Sequence, residues 1–126
     1  MLSQRSANLF VYGSLRRGSD NRFARSLHQS ARFLGHARMR GRLYNLGRFP
    51  GATPTDGSND WVHGDLLRLD QPARILPALD AYEGSQFGRV PQRIYSASGV
   101  TLAWVYLYRG NPSGTRIISG AWPRRG

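Results

Sequence analysis

"GVTLAWVYLYRG", residues 99–110, is apolar on both of its faces. Val100, Leu102, Trp104, Tyr106 and Tyr108 fall on one side of an extended chain, and Ala103, Val105 and Leu107 on the other. Side chains alternate along a strand, so a half-wet strand reads with period two and a strand covered on both faces reads as a continuous apolar run. The stretch is therefore predicted to be a central strand, with the fold a sheet built around it.

The neighbouring segments supply partners. "VPQRIYSA" (90–97) is predicted as a strand joined to the central one by a turn at Ser98-Gly99. "ANLFVYG" (7–13) has the density of a buried strand ended by Gly13, and "WVHGDLLRL" (61–69) is another strand. In "HARMRGRLY" (36–44), Ala37, Met39, Gly41 and Leu43 alternate with Arg38, Arg40 and Arg42, the pattern of a strand with one wet face. Those three arginines are thus explained without a ligand. "GRFPGATPTDGSND" (47–60) is predicted as a long loop or a wide hairpin, and the tail "RIISGAWPRRG" as a short last strand.

Two helices complete the list. Residues 18–35 place Phe23, Leu27, Ala31 and Leu34 on one helical face, with Ser19 or Asp20 as cap and Gly35 as stop. Pro77 removes a helix hydrogen bond, so the second helix is expected to be short, near 76–82, ending at Gly84. About six strands and two helices, with hairpins outnumbering crossovers, predict one α+β domain over residues 1–126 around a small mixed-sheet β-barrel with flanking short helices.

Composition narrows the chemistry. The charge is +11, carried by eighteen arginines and no lysine. The arginines are scattered, the longest runs being the pairs Arg16-Arg17 and Arg124-Arg125, which reads first as a solvated basic surface. A nucleic-acid or other polyanion-binding module is the alternative, because clustered cations gain affinity by displacing phosphate counterions. No apolar run approaches the roughly 20 residues of a bilayer crossing. The start lacks the apolar centre of a secretion signal, so no membrane association and a cytoplasmic location are expected.

The absence of cysteine excludes thiolate nucleophiles and disulfides. His28, His36 and His63 have no metal-ligand spacing, so no metal is expected. "GSL" lacks the flanks of a nucleophile elbow, no lysine exists for a phosphate loop, and no dinucleotide glycine fingerprint occurs.

Two segments remain, "FVYGSLRRG" (10–18) and "LDAYEG" (79–84). A strand running into glycine and a small hydroxyl residue leaves backbone N–H groups free to hold an anion or a polarised carbonyl. Glu83 is the only glutamate in the chain. In order and spacing, "VYGSLRRG", "RLYNLGRFPGATP" (42–54), "LDAYEG" and "SGAW" (119–122) resemble the γ-glutamylcyclotransferase-like family, which includes the γ-glutamylamine cyclotransferases. The resemblance implies a small mixed β-barrel with an active-site cavity between the turn and the glutamate. It makes Glu83 the proton acceptor and Tyr12, Gly13, Ser14 and Leu15, extending to Arg16 and Arg17, the substrate-binding turn. The implied reaction is cleavage of a γ-glutamyl amide by its own α-amine, releasing 5-oxoproline and an amine, with no cofactor. Arg48, Arg89 and Tyr106 are secondary candidates for gripping substrate or shaping the cavity. Many members carry a tyrosine and then an arginine after the "YEG" box; Phe87 and Arg89 stand there here.

Such a substrate brings its own nucleophile, so intramolecular attack supplies a large effective molarity and the enzyme has only protons to move. One carboxylate suffices if partial burial raises its pKa from about 4.3 towards neutrality. Tyr82, Gly84 and Phe87 are placed to enclose it.

Overall fold

The central position expected for residues 99–110 is where the computed structural model puts them, between an N-terminal and a preceding strand. The structure describes residues 7–19, 21–56, 59–112 and 114–123. Their order is β1 (Asn8–Val11), α1 (Arg22–Gln29), β2 (Ala31–Asn45), β3 (Pro50–Pro54), β4 (Trp61–Leu69), α2 (Pro72–Glu83), β5 (Phe87–Ser96), β6 (Gly99–Tyr108) and β7 (Thr115–Ile117). Strands β2, β4, β1, β6 and β5 lie side by side, and β5 returns to β2, closing a five-stranded barrel. Only β1 and β6 are parallel; the other pairings are antiparallel. Closure leaves the barrel strands without free edges. Strands β3 and β7 flank the last residues of β2 as a small extension.

The alternation along β1 and β6 divides the core in two. Phe10 and Tyr12 pack with Ala103, Val105 and Leu107 inside the barrel, beside Met39, Val62 and Ile94. Leu9, Val11, Trp104 and Tyr106 face outwards onto Leu27 of α1 and Leu76 and Leu79 of α2. This double cover explains why residues 103–107 are all buried and read as a continuous run. The first residues of β6 project beyond that cover: Val100 is 57% exposed and Leu102 40%. At Gly64 of β4 a side chain would run into the Val11 carbonyl and the Phe10 ring, so glycine lets β1 and β4 approach there.

Four boundaries differ from the sequence reading. Helix α1 stops at Gln29, and residues 31–35 belong to β2. Ala31 and Phe33 pair with Leu69 and Leu67, and a bulge between Phe33 and Gly35 (φ 131°) leaves Leu34 unpaired and re-aims the strand. Leu34, assigned to the helix face, is 43% exposed. The cap is neither Ser19 nor, within the described residues, any acid; Asp20 lies outside them. Asn21 caps the helix, its Oδ1 accepting from the N–H groups of Phe23 (2.8 Å) and Ala24 (3.1 Å).

Helix α2 begins at Pro72, well before the expected start, and carries Pro77 inside it. An internal proline costs about 3 kcal/mol. Leu76 and Leu79, both fully buried, offset it at roughly 1.5–3 kcal/mol each. Gly84 (φ 82°) ends the helix, its N–H donating to the Asp80 carbonyl.

The segment 47–60 is not a plain loop: residues 50–54 form β3 against residues 41–45 of β2. As an outer strand of the extension, β3 tolerates Pro50 and Pro54, which lack ladder N–H groups. Fourth, β5 starts at Phe87, and its hairpin to β6 turns on Ala97-Ser98, with Ser96 opposite Gly99. Among the described residues no helix is long and apolar enough to cross a membrane.

Candidate active site

The turn after β1 is pinned from three directions. The Tyr12 hydroxyl, buried, donates to the Tyr106 carbonyl (2.7 Å) and accepts from the Ala52 N–H (3.1 Å), tying the strand end to β6 and β3. Burial pushes its pKa well above the usual tyrosine range, so Tyr12 stays a neutral strut. Gly13 lies against Pro50: a β-carbon there would sit 3.0 Å from the proline Cγ.

Beneath the turn is Asp65 of β4, with 0% exposure. Its carboxylate accepts from the Arg17 N–H at 2.7 Å and pairs with the Arg16 guanidinium at 3.2–3.3 Å; His36 Nδ1 approaches at 3.3 Å. Arg16 is itself only 8% exposed, and the Arg17 guanidinium stacks over Phe33 at 4.2 Å. Both arginine side chains thus point away from the cavity above the turn.

The opposite wall is the end of α2. Tyr82 stacks on Phe23 of α1 (4.3 Å) and accepts from Asn21 Nδ2 (3.0 Å), with Ser14 Oγ 3.5 Å from its hydroxyl. Glu83 follows it and faces a cavity of about 190 Å³. Residues 12–15 form one side of this space, Glu83 the other, and Phe49, Pro50 and Phe87 supply apolar walls. The volume lies below the ~300–1,000 Å³ of drug-sized sites and suits one amino-acid-sized group.

The two acids of this helix end behave oppositely. Burial alone pushes the Glu83 carboxyl up to about 7, and among the described residues it has no hydrogen-bond or ion-pair partner. Asp80, one turn earlier, is held below the usual carboxylate range by hydrogen bonds from Arg89 (2.8 and 3.2 Å) and from the Tyr106 hydroxyl (2.6 Å). Burial and charge pairing thus push the two neighbouring acids in opposite directions, Glu83 up and Asp80 down.

The structure brings Tyr12, Gly13, Ser14, Leu15 and Glu83 together, and adds Tyr106, whose ring lines the cavity while its hydroxyl serves Asp80. Arg89 is committed to Asp80 and lies over Trp104 at 4.5 Å, while Arg48 is exposed and absent from the cavity wall. Phe87 meets Phe49 and Tyr108 edge-on at 5.8 and 5.7 Å, an apolar wall beside Glu83. Asp65 and Asp80 were not singled out from the sequence. The one available signal was an acid directly before the leucines of "GDLLRL" (64–69).

Among the described residues, no three histidines, aspartates or glutamates converge as a metal site would require. The family described as "Gamma-glutamyl cyclotransferase, AIG2-like" matches residues 9–124. The chain belongs to this family.

Its relatives include "Gamma-glutamylcyclotransferase family protein YtfP" of Escherichia coli K12, 36% identical over 90% of this chain and 94% of that protein. A "Putative gamma-glutamylcyclotransferase" of Vibrio cholerae is 31% identical over 93% and 96%. Among solved structures, the E. coli protein ytfP aligns with TM-score 0.63 at 35% identity, covering 91% of this chain and 95% of that one. An "aig2-like protein" from Mus musculus aligns with TM-score 0.70 at 23% identity, covering 86% and 81%, a likeness of fold. The closed five-stranded mixed barrel is thus the barrel of gamma-glutamylcyclotransferase-type enzymes.

Proposed function

We propose that this protein cleaves a γ-glutamyl amide, with Glu83 as proton carrier and residues 12–15 as the binding turn. The observation that supports it most is the pairing, across one small cavity, of a lone unpartnered carboxyl whose pKa sits near neutrality with an open backbone turn.

In this reading the Glu83 carboxylate accepts a proton from the substrate α-ammonium, and the freed amine attacks the γ-carbonyl carbon. The turn N–H groups stabilise the developing oxyanion. Collapse breaks the bond to the leaving nitrogen, which receives its proton from Glu83. Two protons leave the α-nitrogen and two arrive on the leaving nitrogen, so Glu83 ends as it began and an ammonium departs with 5-oxoproline. The basic surface gives the polyanion-binding alternative little support, since Arg38 and Arg40 lie over Trp61 (4.0 and 4.6 Å) and Arg42 pairs with Asp60.

The test is 5-oxoproline release from a panel of γ-glutamyl amides. Because the carboxylate form is the acceptor, kcat/KM should fall as pH drops through about 7. A profile flat from about pH 5 to 8 would remove Glu83 from that role. Gly13→Ala should lower kcat/KM roughly tenfold while the protein still folds. Gly13 does not have a positive φ, but the new methyl presses on Pro50 and shifts the turn, and a ~1 Å misplacement costs up to ~10²-fold. Unchanged kinetics would mean that the turn does not hold substrate.

A further inference from the structure

One hold on the turn after β1 comes from outside the barrel. His28 stands on α1 one helical turn after the buried Ala24 and is itself half-buried. Its Nε2 lies 2.8 Å from the Leu15 carbonyl oxygen. A carbonyl only accepts, so Nε2 carries the hydrogen, in the neutral ring as in the cation, and the bond outlasts a change of charge on the ring.

That bond completes the fixing of one peptide unit. The Arg16 N–H closes a β-turn onto the Gly13 carbonyl (3.1 Å), so the planar unit between Leu15 and Arg16 is held at its oxygen by His28 and at its nitrogen by Gly13. The N–H groups of Ser14 and Leu15, just ahead of this unit, make no hydrogen bond with a described residue, and both residues line the cavity.

The other end of α1 reaches the opposite wall. Asn21, its cap, donates from Nδ2 to the Tyr82 hydroxyl (3.0 Å), and Phe23 stacks on the Tyr82 ring (4.3 Å). One short helix and its cap thus touch the turn through His28 and the residue before Glu83 through Asn21 and Phe23.

Resting on the reading above, we propose that His28 is a positioning residue of this site, holding the free N–H groups of the turn where the oxyanion forms opposite Glu83. His28 does not line the cavity, so its effect passes through the Leu15 carbonyl.

The experiment compares His28→Gln, His28→Asn and His28→Phe with the wild type. Glutamine puts a side-chain N–H near the place of Nε2, asparagine puts one near that of Nδ1, and phenylalanine keeps a ring without a donor. Kinetics of 5-oxoproline release are read beside thermal melts and hydrogen exchange of the Arg16 N–H. In the asparagine and phenylalanine variants kcat should fall about tenfold with KM within about twofold, since donors set loose fail the charge that only the transition state develops. The Arg16 N–H should exchange about tenfold faster in both. His28→Gln should keep wild-type values in each readout. Its kcat/KM should still fall as pH drops through about 7, because His28 moves no proton. Should phenylalanine fail to fold, the asparagine variant decides. Wild-type kcat in His28→Asn, or a loss in His28→Gln as deep as in His28→Asn, overturns this inference and leaves the γ-glutamyl reading standing. Release of 5-oxoproline from no γ-glutamyl amide by the wild type overturns that reading, and unchanged Arg16 exchange in His28→Asn then overturns the hold on the turn as well.

Discussion

Glu83→Gln is expected to abolish turnover and, at neutral and alkaline pH, to make the protein more stable. The catalytic half follows from the absence of a substitute: among the described residues Glu83 is the only carboxylic acid on the cavity wall, and Asp80, one turn earlier on α2, is kept ionised by Arg89. An amide cannot shuttle protons, so 5-oxoproline release should fall about 10²–10⁴-fold.

The stability half follows from the sign of the shift. Glu83 titrates near 4.5 when ordinary and about 7 in the fold, so the folded state holds its proton more tightly than the unfolded state. Below about pH 4.5 both states are protonated and the acid carries no penalty. Between about 4.5 and 7 stability falls as pH rises, and above about 7 the full cost of burying an unpartnered charge is present. At ~1.36 kcal/mol per unit, reduced for partial exposure, that cost is about 1–3 kcal/mol. Glutamine has nothing to ionise. Urea denaturation should therefore show no difference between the two proteins at pH 4, and the variant ahead by that amount at pH 8. A variant less stable than the wild type at pH 8 would mean that the fold stabilises the carboxylate, against its placement in an apolar cavity.

The parts of the fold legible in the sequence were those where burial is repetitive. Residues 103–107 could be read as central because two layers cover them, and residues 36–44 because one face alone is wet. Boundaries were lost where two periodicities agree by accident. Ala31 lies on the helix stripe of Phe23 and Leu27, yet it is also the first residue of β2, and only the pairing with Leu69 decides between them. Pro77 misled for a related reason: its local cost is real, but the tertiary burial of Leu76 and Leu79 outweighs it. At the site, Glu83 and residues 12–15 were visible because they stand in local motifs. Their environment was not, since the apolar wall of Phe49 and Phe87 joins residues 38 positions apart. Nor was the ion pair under the turn, which joins residues 49 positions apart.

That ion pair carries the largest expected loss of stability. Asp65→Ala leaves the guanidinium of Arg16, 8% exposed, in a nearly dry site with no described carboxylate to replace the one removed, and also frees the Arg17 N–H. Removing one partner of a buried pair costs about 3–5 kcal/mol, which lowers the melting temperature by about 10 °C or more. The Coulomb attraction itself is not the source of that loss, because desolvation of both ions cancels much of it. The charge left behind is. Adding Arg16→Met to Asp65→Ala should therefore recover part of the stability although it removes a second native side chain, and the two substitutions should be strongly non-additive. Activity should not return in the double variant, because the Arg17 N–H has still lost the acceptor that held the turn at 2.7 Å. Thermal melts of the three variants beside kcat/KM separate these roles. Additive losses in the double variant would show that Arg16 and Asp65 act independently, and recovered turnover would show that the turn keeps its shape without the acid beneath it.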